Sequence, residues 1–212
     1  MNALQRHILS IGFMLAAFAI AASSVVVVTE QATRQKIIDN ERQALLSALN
    51  ILIPKQQYNN DILADTIEIA GKQQLATTKS TKVYRARLDG QAIAAVFTSI
   101  APDGYSGKIK LLVGVYKNGD LSGVRVISHK ETPGLGDKID DRKSDWIKAF
   151  TGLSLNKPAI EQWRVKKDGG QFDQFTGATI TPRAVIKAVK NALLYFKTHQ
   201  NELFAPHNEQ TP

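Results

Sequence analysis

An uncharged stretch near the amino terminus limits what this chain can fold into more than any other feature. From Ile8 to Val28 the sequence reads ILSIGFMLAAFAIAASSVVVV, without a charged side chain. A helix rises about 1.5 Å per residue, so roughly 20 apolar residues span the ~30 Å hydrocarbon core of a bilayer. We therefore predict a single transmembrane anchor over residues 1–28.

A cleaved signal peptide is the alternative interpretation of this stretch, with Arg6 as its basic region and the Ala/Ser segment as its cleavage site. The apolar run is longer than the roughly 7–15 residues of a signal core, and Val25 to Val28 continue it past the small residues. A retained anchor is therefore favoured. Basic residues on the two sides, Arg6 against Arg34 and Lys36, give a weak positive-inside signal. We expect the amino terminus in the cytoplasm and the bulk of the chain outside.

The segment after the anchor is predicted to be a juxtamembrane helix over residues 29–54. Pro54 ends its apolar periodicity. The apolar residues on its expected stripe are Ile37, Ile38, Leu45, Leu46, Leu49 and Leu52. Such a stripe is typical of packing against a domain or a partner helix.

Residues 55–205 are predicted to form an α+β domain with an antiparallel sheet. Asp89-Gly90 is a turn signal between two strand-like runs. Asn118-Gly119 lies between two further runs and is a good hairpin signal. No rhythm of alternating strands and helices is present, so a parallel sheet is not expected. The predicted strands are Val83–Leu88, Ala92–Ile100, Ile109–Tyr116 and Leu121–Ser128.

Two helices are predicted in the same domain. The first is short, from Ser144 to Phe150, with Ser144 as its N-cap. The second runs from Pro182 to about Lys197, with Thr181 as its N-cap, because Pro suits the first position of a helix. The tail over residues 206–212 is polar and is predicted to be frayed.

Composition excludes several kinds of site. The absence of cysteine excludes disulfides, thiol catalysis, iron–sulfur ligation by this chain and c-type haem attachment. The four histidines are far apart and form no HxxxH or HExxH pattern, so no metal site is predicted. The formal net charge is +8, but the basic residues are scattered without a basic-aromatic motif, so no nucleic-acid partner is predicted.

The segment DQFTGATITPR, from Asp173 to Arg183, is the best candidate for chemistry. Thr179 lies close before a predicted helix start, where unpaired backbone N–H groups and the helix dipole favour a phosphate. Gly177 permits a tight turn or the close approach of a ligand, and Arg183 and Lys187 could add positive charge. A capped turn without any chemical role remains the alternative.

A second candidate is the loop HKETPGLGDKI, from His129 to Ile139, which follows a predicted strand. Pro133, Gly134 and Gly136 flank Leu135, so the backbone of this loop could approach a planar ligand closely. An ordinary connecting loop is the alternative interpretation.

The first segment resembles the D-x-x-[ST]-G-A-T motif of FMN-binding domains that receive covalent FMN. The matching residues are Asp173, Thr176, Gly177, Ala178 and Thr179. The resemblance implies that Thr179 is the acceptor, that a dedicated flavin transferase links it to the FMN phosphate, and that the neighbouring motif residues bind the cofactor.

The E-T-P-G-L-G run, with the PDGYSGKIKLLVGV and VKKDGGQFDQFTGATITPRAV stretches, resembles the G subunit of Rnf-type (Rsx-type) ion-translocating electron-transport complexes. By that resemblance Glu131, Thr132, Leu135 and Gly136 lie near the flavin. The C subunit of the sodium-translocating NADH:quinone reductase is a related family, but it is usually longer and tends to have Ser at the position of Thr176.

The resemblance implies an electron-carrying flavoprotein of the bacterial inner membrane, with its soluble domain in the periplasm and other complex subunits as partners. Such complexes couple electron transfer between a low-potential donor and NAD to ion translocation. An FMN-bearing sensor or a non-redox scaffold remains the alternative. The sequence shows no paired catalytic carboxylates, no nucleophile–base motif and no dinucleotide-binding GxGxxG, so no independent active site is predicted.

Overall fold

The computed structural model describes residues 2–205. Met1 and residues 206–212, which include the predicted polar tail, lie outside the described residues. The chain divides into two compact units, the first ending at Ser47 and the second beginning at Ala48. Helix α1, Ala3–Leu52, contributes nearly all of the described first unit and its last turn to the second.

In the first unit, α1 is one continuous helix that covers both the predicted anchor and the start of the predicted juxtamembrane helix. Large apolar side chains from Leu4 to Val28 are exposed along it. Among the described residues this is the one helix long and apolar enough to cross a membrane, by length and composition.

The second unit is built on a five-stranded antiparallel sheet in which neighbours in sequence are neighbours in space. The predicted α+β class and antiparallel sheet are therefore confirmed. The strands are β1 Thr66–Ile69, β2 Thr81–Leu88, β3 Gln91–Ala101, β4 Ile109–Tyr116 and β5 Leu121–Ser128. Strand β1 is absent from the sequence prediction; it is short and pairs with the start of β2, with Ile69 opposite Thr81.

The residues of the turns adopt the backbone conformations of tight hairpins at the positions that the sequence predicts. Asp89 and Gly90, between β2 and β3, both have positive φ values, of +50° and +80°. Two successive positive φ values suit the right-handed twist of a two-residue hairpin. In the hairpin between β4 and β5, the Tyr116 amide donates to the Asp120 carbonyl at 2.8 Å, and Gly119 has a φ of +92°.

Helix α2, Ile180–Leu203, covers one face of the sheet and is longer at both ends than predicted. Its buried stripe includes Val185 and Val189, which join Phe97 and Val113 of the sheet in one apolar core. Alternate residues of a strand point to opposite faces, so the odd-numbered residues of β4 supply this core.

The opposite face of the sheet receives the last turn of α1. Gly114 and Gly123 are register partners on β4 and β5, and Leu52 lies over them. A Cβ atom at Gly123 would lie 3.0 Å from the end of the Leu52 side chain, so glycine there lets Leu52 approach closely without having to shift.

A buried ion pair ties β2 and the residue before β1 to the end of α2. Arg85 is fully buried, and its Nε donates to Asp65 Oδ1 at 2.7 Å. Arg87 Nε donates to the other Asp65 oxygen at 2.6 Å, and Arg85 Nη1 donates to the Ala205 carbonyl at 2.6 Å. Because Asp65 neutralises a guanidinium that has no access to water, its loss should be strongly destabilising.

We predict that Asp65→Ala lowers the free energy of unfolding by about 3–5 kcal/mol, since it removes a carboxylate that pairs with a fully buried guanidinium. Urea unfolding of the detergent-solubilised chain, followed by tryptophan fluorescence, measures this change. The control is Asp145→Ala, which breaks a pair with Lys148 whose side chains are 82% and 64% exposed. That variant should lose about 1 kcal/mol or less; equal losses in the two variants would contradict the prediction.

Candidate functional site

The candidate acceptor lies directly at the start of α2. The helix begins at Ile180, and Thr179 occupies the N-cap position. The prediction that Thr181 caps the helix is wrong. Thr181 lies inside the first turn, fully buried, and its hydroxyl donates to the carboxylate of Glu131. This tertiary hydrogen bond takes the hydroxyl that local preference would have assigned to capping.

The hydroxyl of Thr179 is not engaged by any other group in the part of the chain that the structure describes. Thr179 is half-buried, with φ −84° and ψ −22°, and its side chain makes no capping hydrogen bond. Over residues 2–205, no hydrogen bond to its side chain is found. The first N–H groups of a helix lack intrahelical partners, so this hydroxyl lies beside the positive end of a 24-residue helix.

Thr179 lines a concave pocket of about 320 Å³. Three chain segments form its wall: the loop before β4, the loop after β5 and the start of α2. The lining residues are Tyr105, Thr132, Leu135, Gly177, Ala178, Thr179, Ile180 and Thr181. The structure thus brings Thr132, Leu135, Gly177 and Ala178 of the predicted site together with Thr179.

The loop after β5 is a compact turn built around one carbonyl group. The Thr132 carbonyl accepts from the amides of Leu135 at 3.2 Å, Gly136 at 3.1 Å and Asp137 at 3.4 Å. Gly134 has a φ of +78°, which a residue with a side chain rarely adopts. The turn leaves the Leu135 side chain 42% exposed at the pocket wall.

Glu131 lies behind the pocket, 4% exposed, and connects the three segments. Its Oε1 accepts from the Ser106 amide at 3.0 Å, and its Oε2 accepts from the Thr181 hydroxyl. Gly136 packs against the same carboxylate, since a Cβ atom there would lie 2.8 Å from Oε2. Of the predicted site residues, Glu131 and Gly136 are therefore buried supports that do not line the pocket.

Asp173 and Thr176 lie outside the pocket lining. The carboxylate of Asp173 pairs with Lys166 at 2.5 Å, and its backbone carbonyl accepts from the indole of Trp146 at 2.8 Å. Trp146 also packs edge-on against Phe175, with ring centroids 5.2 Å apart. Asp173 thus belongs to the contacts that hold the loop, while Thr176 is exposed at the tip of the turn that Gly177, with a φ of +80°, completes.

The helix that holds Trp146 is a 3-10 helix, Trp146–Phe150, preceded by Asp145. The prediction of a helix that starts at Ser144, with Ser144 as its N-cap, is therefore wrong about the starting residue. The Ser144 hydroxyl still accepts from the Trp146 amide at 3.2 Å, so it satisfies a backbone donor two residues ahead.

The basic residues of the first turns of α2 do not line the pocket. Arg183 makes two hydrogen bonds of 2.7 Å to Asp168, which lower the pKa of that carboxyl and raise the pKa of Arg183. Lys187 pairs with Asp103 at 2.6 Å. The positive charge that the sequence offers at this helix start is therefore matched by carboxylates.

Comparison with known proteins finds two family models that match different parts of the chain. A family model described as FMN-binding domain matches residues 104–194, and one described as RnfG N-terminal region matches residues 1–52. A similar protein is the G subunit of the ion-translocating oxidoreductase complex of Aliivibrio fischeri (strain ATCC 700601 / ES114), 50% identical over 190 residues, which are 90% of each chain. The protein of the same description from Shewanella baltica (strain OS223) is 47% identical over 194 residues, 92% of each chain.

The chain belongs to the G-subunit family of ion-translocating oxidoreductase complexes. A further relative of that description, from Vibrio cholerae serotype O1 (strain M66-2), is 47% identical over 201 residues, 95% of this chain and 94% of its own. The candidate pocket lies within the part of this G-subunit family member that matches the FMN-binding domain.

The site predicted from the sequence did not include three residues that line the pocket: Tyr105, Ile180 and Thr181. Ile180 and Thr181 adjoin the motif and could have been included by a shift of the helix start. Tyr105 is 69% exposed on the loop before β4, within the PDGYSG run. Nothing local indicates that this loop meets the start of α2, because its contacts are distant in sequence: Glu131 bonds to both segments, and Asp103 pairs with Lys187.

We predict that Thr181→Val lowers the free energy of unfolding of the second unit by about 1–3 kcal/mol, because it leaves a buried carboxylate oxygen of Glu131 without its donor. Urea unfolding monitored by tryptophan fluorescence tests this. The control is Thr176→Val in the preceding turn, which is exposed and should change stability by about 0.5 kcal/mol or less. A Thr181→Val variant as stable as the control would show that the bond to Glu131 contributes nothing.

Proposed function

We propose that this chain is an electron-transfer subunit that carries FMN as a phosphoester on Thr179. The observation that carries the proposal is the position of Thr179, a half-buried hydroxyl at the N-cap of α2 that opens into a pocket and makes no capping hydrogen bond. The family supports FMN as the cofactor, since the matching domain is described as FMN-binding.

The residues present fit the phosphate end of FMN. Backbone N–H groups at the start of a helix, with the helix dipole behind them, form a favourable environment for an anion. Gly177 precedes Thr179 by two residues and has no side chain that would obstruct a phosphate at the helix start. Backbone groups would therefore hold the phosphate, while Arg183 and Lys187 are paired with their own carboxylates.

The pocket also fits the ring end. Leu135, Ala178 and Ile180 offer apolar surface, and Tyr105 adds an aromatic side chain. Planar ligands are usually held between apolar and aromatic side chains, with few polar groups to fix their orientation. FMN bound here would supply one- or two-electron transfer.

In this proposal the side chains of the subunit bind and orient the cofactor. They make or break no covalent bond once the cofactor is attached. Thr179 would attach the cofactor at its phosphate end. The apolar side chains of the pocket wall would shield one side of the cofactor from water. The exposed Leu135 and Ile180, 42% and 46% accessible, leave an open mouth through which a redox partner could approach. Thr132 supplies the backbone carbonyl that keeps the wall in place.

The relatives are described as subunits of an ion-translocating oxidoreductase complex. We infer that this chain serves as one redox centre in such a complex, which couples electron transfer between a low-potential donor and NAD to ion translocation. Other complex subunits and a flavin transferase are its partners. Residues 1–28 anchor it as a single-pass protein of the inner membrane, residues 29–54 form the juxtamembrane helix, residues 55–205 are the FMN-binding domain, and residues 206–212 are a polar tail.

Covalent attachment is tested by in-gel flavin fluorescence after denaturing electrophoresis, with each variant co-expressed with a flavin transferase. We expect a fluorescent band for the wild type, none for Thr179→Ala or Thr179→Val, and a weaker band for Thr179→Ser, which keeps a hydroxyl in altered steric surroundings. The matched control is Thr151→Ala, an exposed threonine away from the pocket, which should keep the full band.

A wild-type chain without a band, beside a control protein that the same transferase labels, would overturn the proposal. A scaffold or sensor role would then be favoured. A band that persists in Thr179→Val would instead show that the acceptor is another residue.

The periplasmic position of the domain is tested separately. Alkaline phosphatase fused to the carboxyl terminus folds only outside the cytoplasm, so we expect an active fusion. Green fluorescent protein fused at the same point serves as the matched control and should stay dark. The opposite pair of results would place the domain in the cytoplasm.

A further inference from the structure

We propose that Glu131 is a positioning residue that holds the flavin pocket together, and that its negative charge keeps the reduction potential of the bound flavin low. This inference rests on the proposed function, because it concerns a flavin attached at Thr179. Glu131 acts through Thr181 and Ser106, and it does not itself line the pocket.

The hydrogen bonds of Glu131 join segments that are distant in sequence. Oε1 accepts from the Ser106 amide, in the loop that presents Tyr105, 25 residues earlier. Oε2 accepts from the Thr181 hydroxyl, in the first turn of α2, 50 residues later. Glu131 itself lies directly before the turn that presents Leu135. One carboxylate therefore fixes the relative positions of all three segments that form the pocket wall.

Two glycines leave room for this carboxylate. A Cβ atom at Gly104 would lie 2.9 Å from Glu131 Oε1, and one at Gly136 would lie 2.8 Å from Oε2 and from Thr181 Oγ1. Real Cβ atoms almost never make such short contacts. The carboxylate thus fills a space that the two glycines leave open. A larger residue at either position would displace it.

The carboxylate of Glu131 lies close to the pocket and is largely shielded from bulk water. One hydroxyl, that of Thr181, separates Oε2 from the pocket lining. Buried charges are screened far less by solvent and salt than exposed ones. The basic residues nearest in sequence to the helix start are Arg183 and Lys187, and each is paired with its own carboxylate. Reduction would add electrons to a flavin bound in this pocket, and a fixed negative charge behind the pocket wall would oppose it.

The substitution Glu131→Gln separates the charge from the hydrogen bonds. Its amide oxygen can still accept from the Ser106 amide. Its NH₂ group can donate to the Thr181 hydroxyl, which is able to accept as well as to donate. The variant therefore keeps the shape and both contacts while it loses the charge.

The experiment measures the flavin midpoint potential of the full chain, solubilised in detergent and flavinylated by co-expression, in a dithionite titration against a redox dye. In-gel fluorescence first confirms that each sample is loaded. We expect Glu131→Gln to shift the equilibrium of the two-electron couple at least tenfold towards the reduced flavin, about 30 mV more positive. The matched control is Glu68→Gln, which makes the same substitution at an exposed position of β1 that does not line the pocket; its potential should equal that of the wild type.

A second variant covers the case in which Glu131→Gln does not fold or load. Thr181→Val keeps the carboxylate but removes the donor that partly compensates its charge, so its potential should be more negative than that of the wild type. A loaded Glu131→Gln variant with an unchanged potential overturns the inference, as does an unchanged potential in Thr181→Val. A wild type without covalent flavin would refute the proposed function instead, so the two failures are distinguishable.

Discussion

The packing of α2 against the sheet is the constraint on which the rest of the second unit depends. Val185 and Val189 join Phe97 and Val113 in a single core, so the helix cannot slide or rotate without opening apolar surface to water. Its first turn is consequently held beside the loops before β4 and after β5. The candidate site is built there because a fixed helix start supplies both a defined hydroxyl and oriented backbone N–H groups.

Much of the fold could be predicted because the signals are local. Alternating apolar residues and turn pairs such as Asp89-Gly90 located β2 to β5 within two residues. Strand β1 has only four residues and pairs with the start of β2, so its stability comes from a partner that its own sequence does not reveal. The continuity of α1 over both predicted helical segments agrees with the absence of a helix breaker before Pro54.

The site could be predicted only in part, because its remaining contacts are distant in sequence. The position of Thr179 near a helix start follows from its neighbours, including Pro182. The prediction of Thr181 as the capping residue is wrong because the Thr181 hydroxyl bonds to Glu131, 50 residues away. A matched motif also says nothing about which residues contact a ligand: Asp173 lies among the contacts that hold the loop, and Tyr105, outside the motif, lines the pocket.

The unused hydroxyl at the N-cap of α2 bears on the order of maturation. N-cap threonines commonly stabilise their helix through a side-chain hydrogen bond, and a group attached to the oxygen would then compete with that bond. Thr179 makes no such bond, so esterification would break no contact that the fold uses. If Thr179 receives the proposed group, the modifying enzyme would therefore meet a finished helix start as its substrate, and cofactor loading would be a step separate from folding.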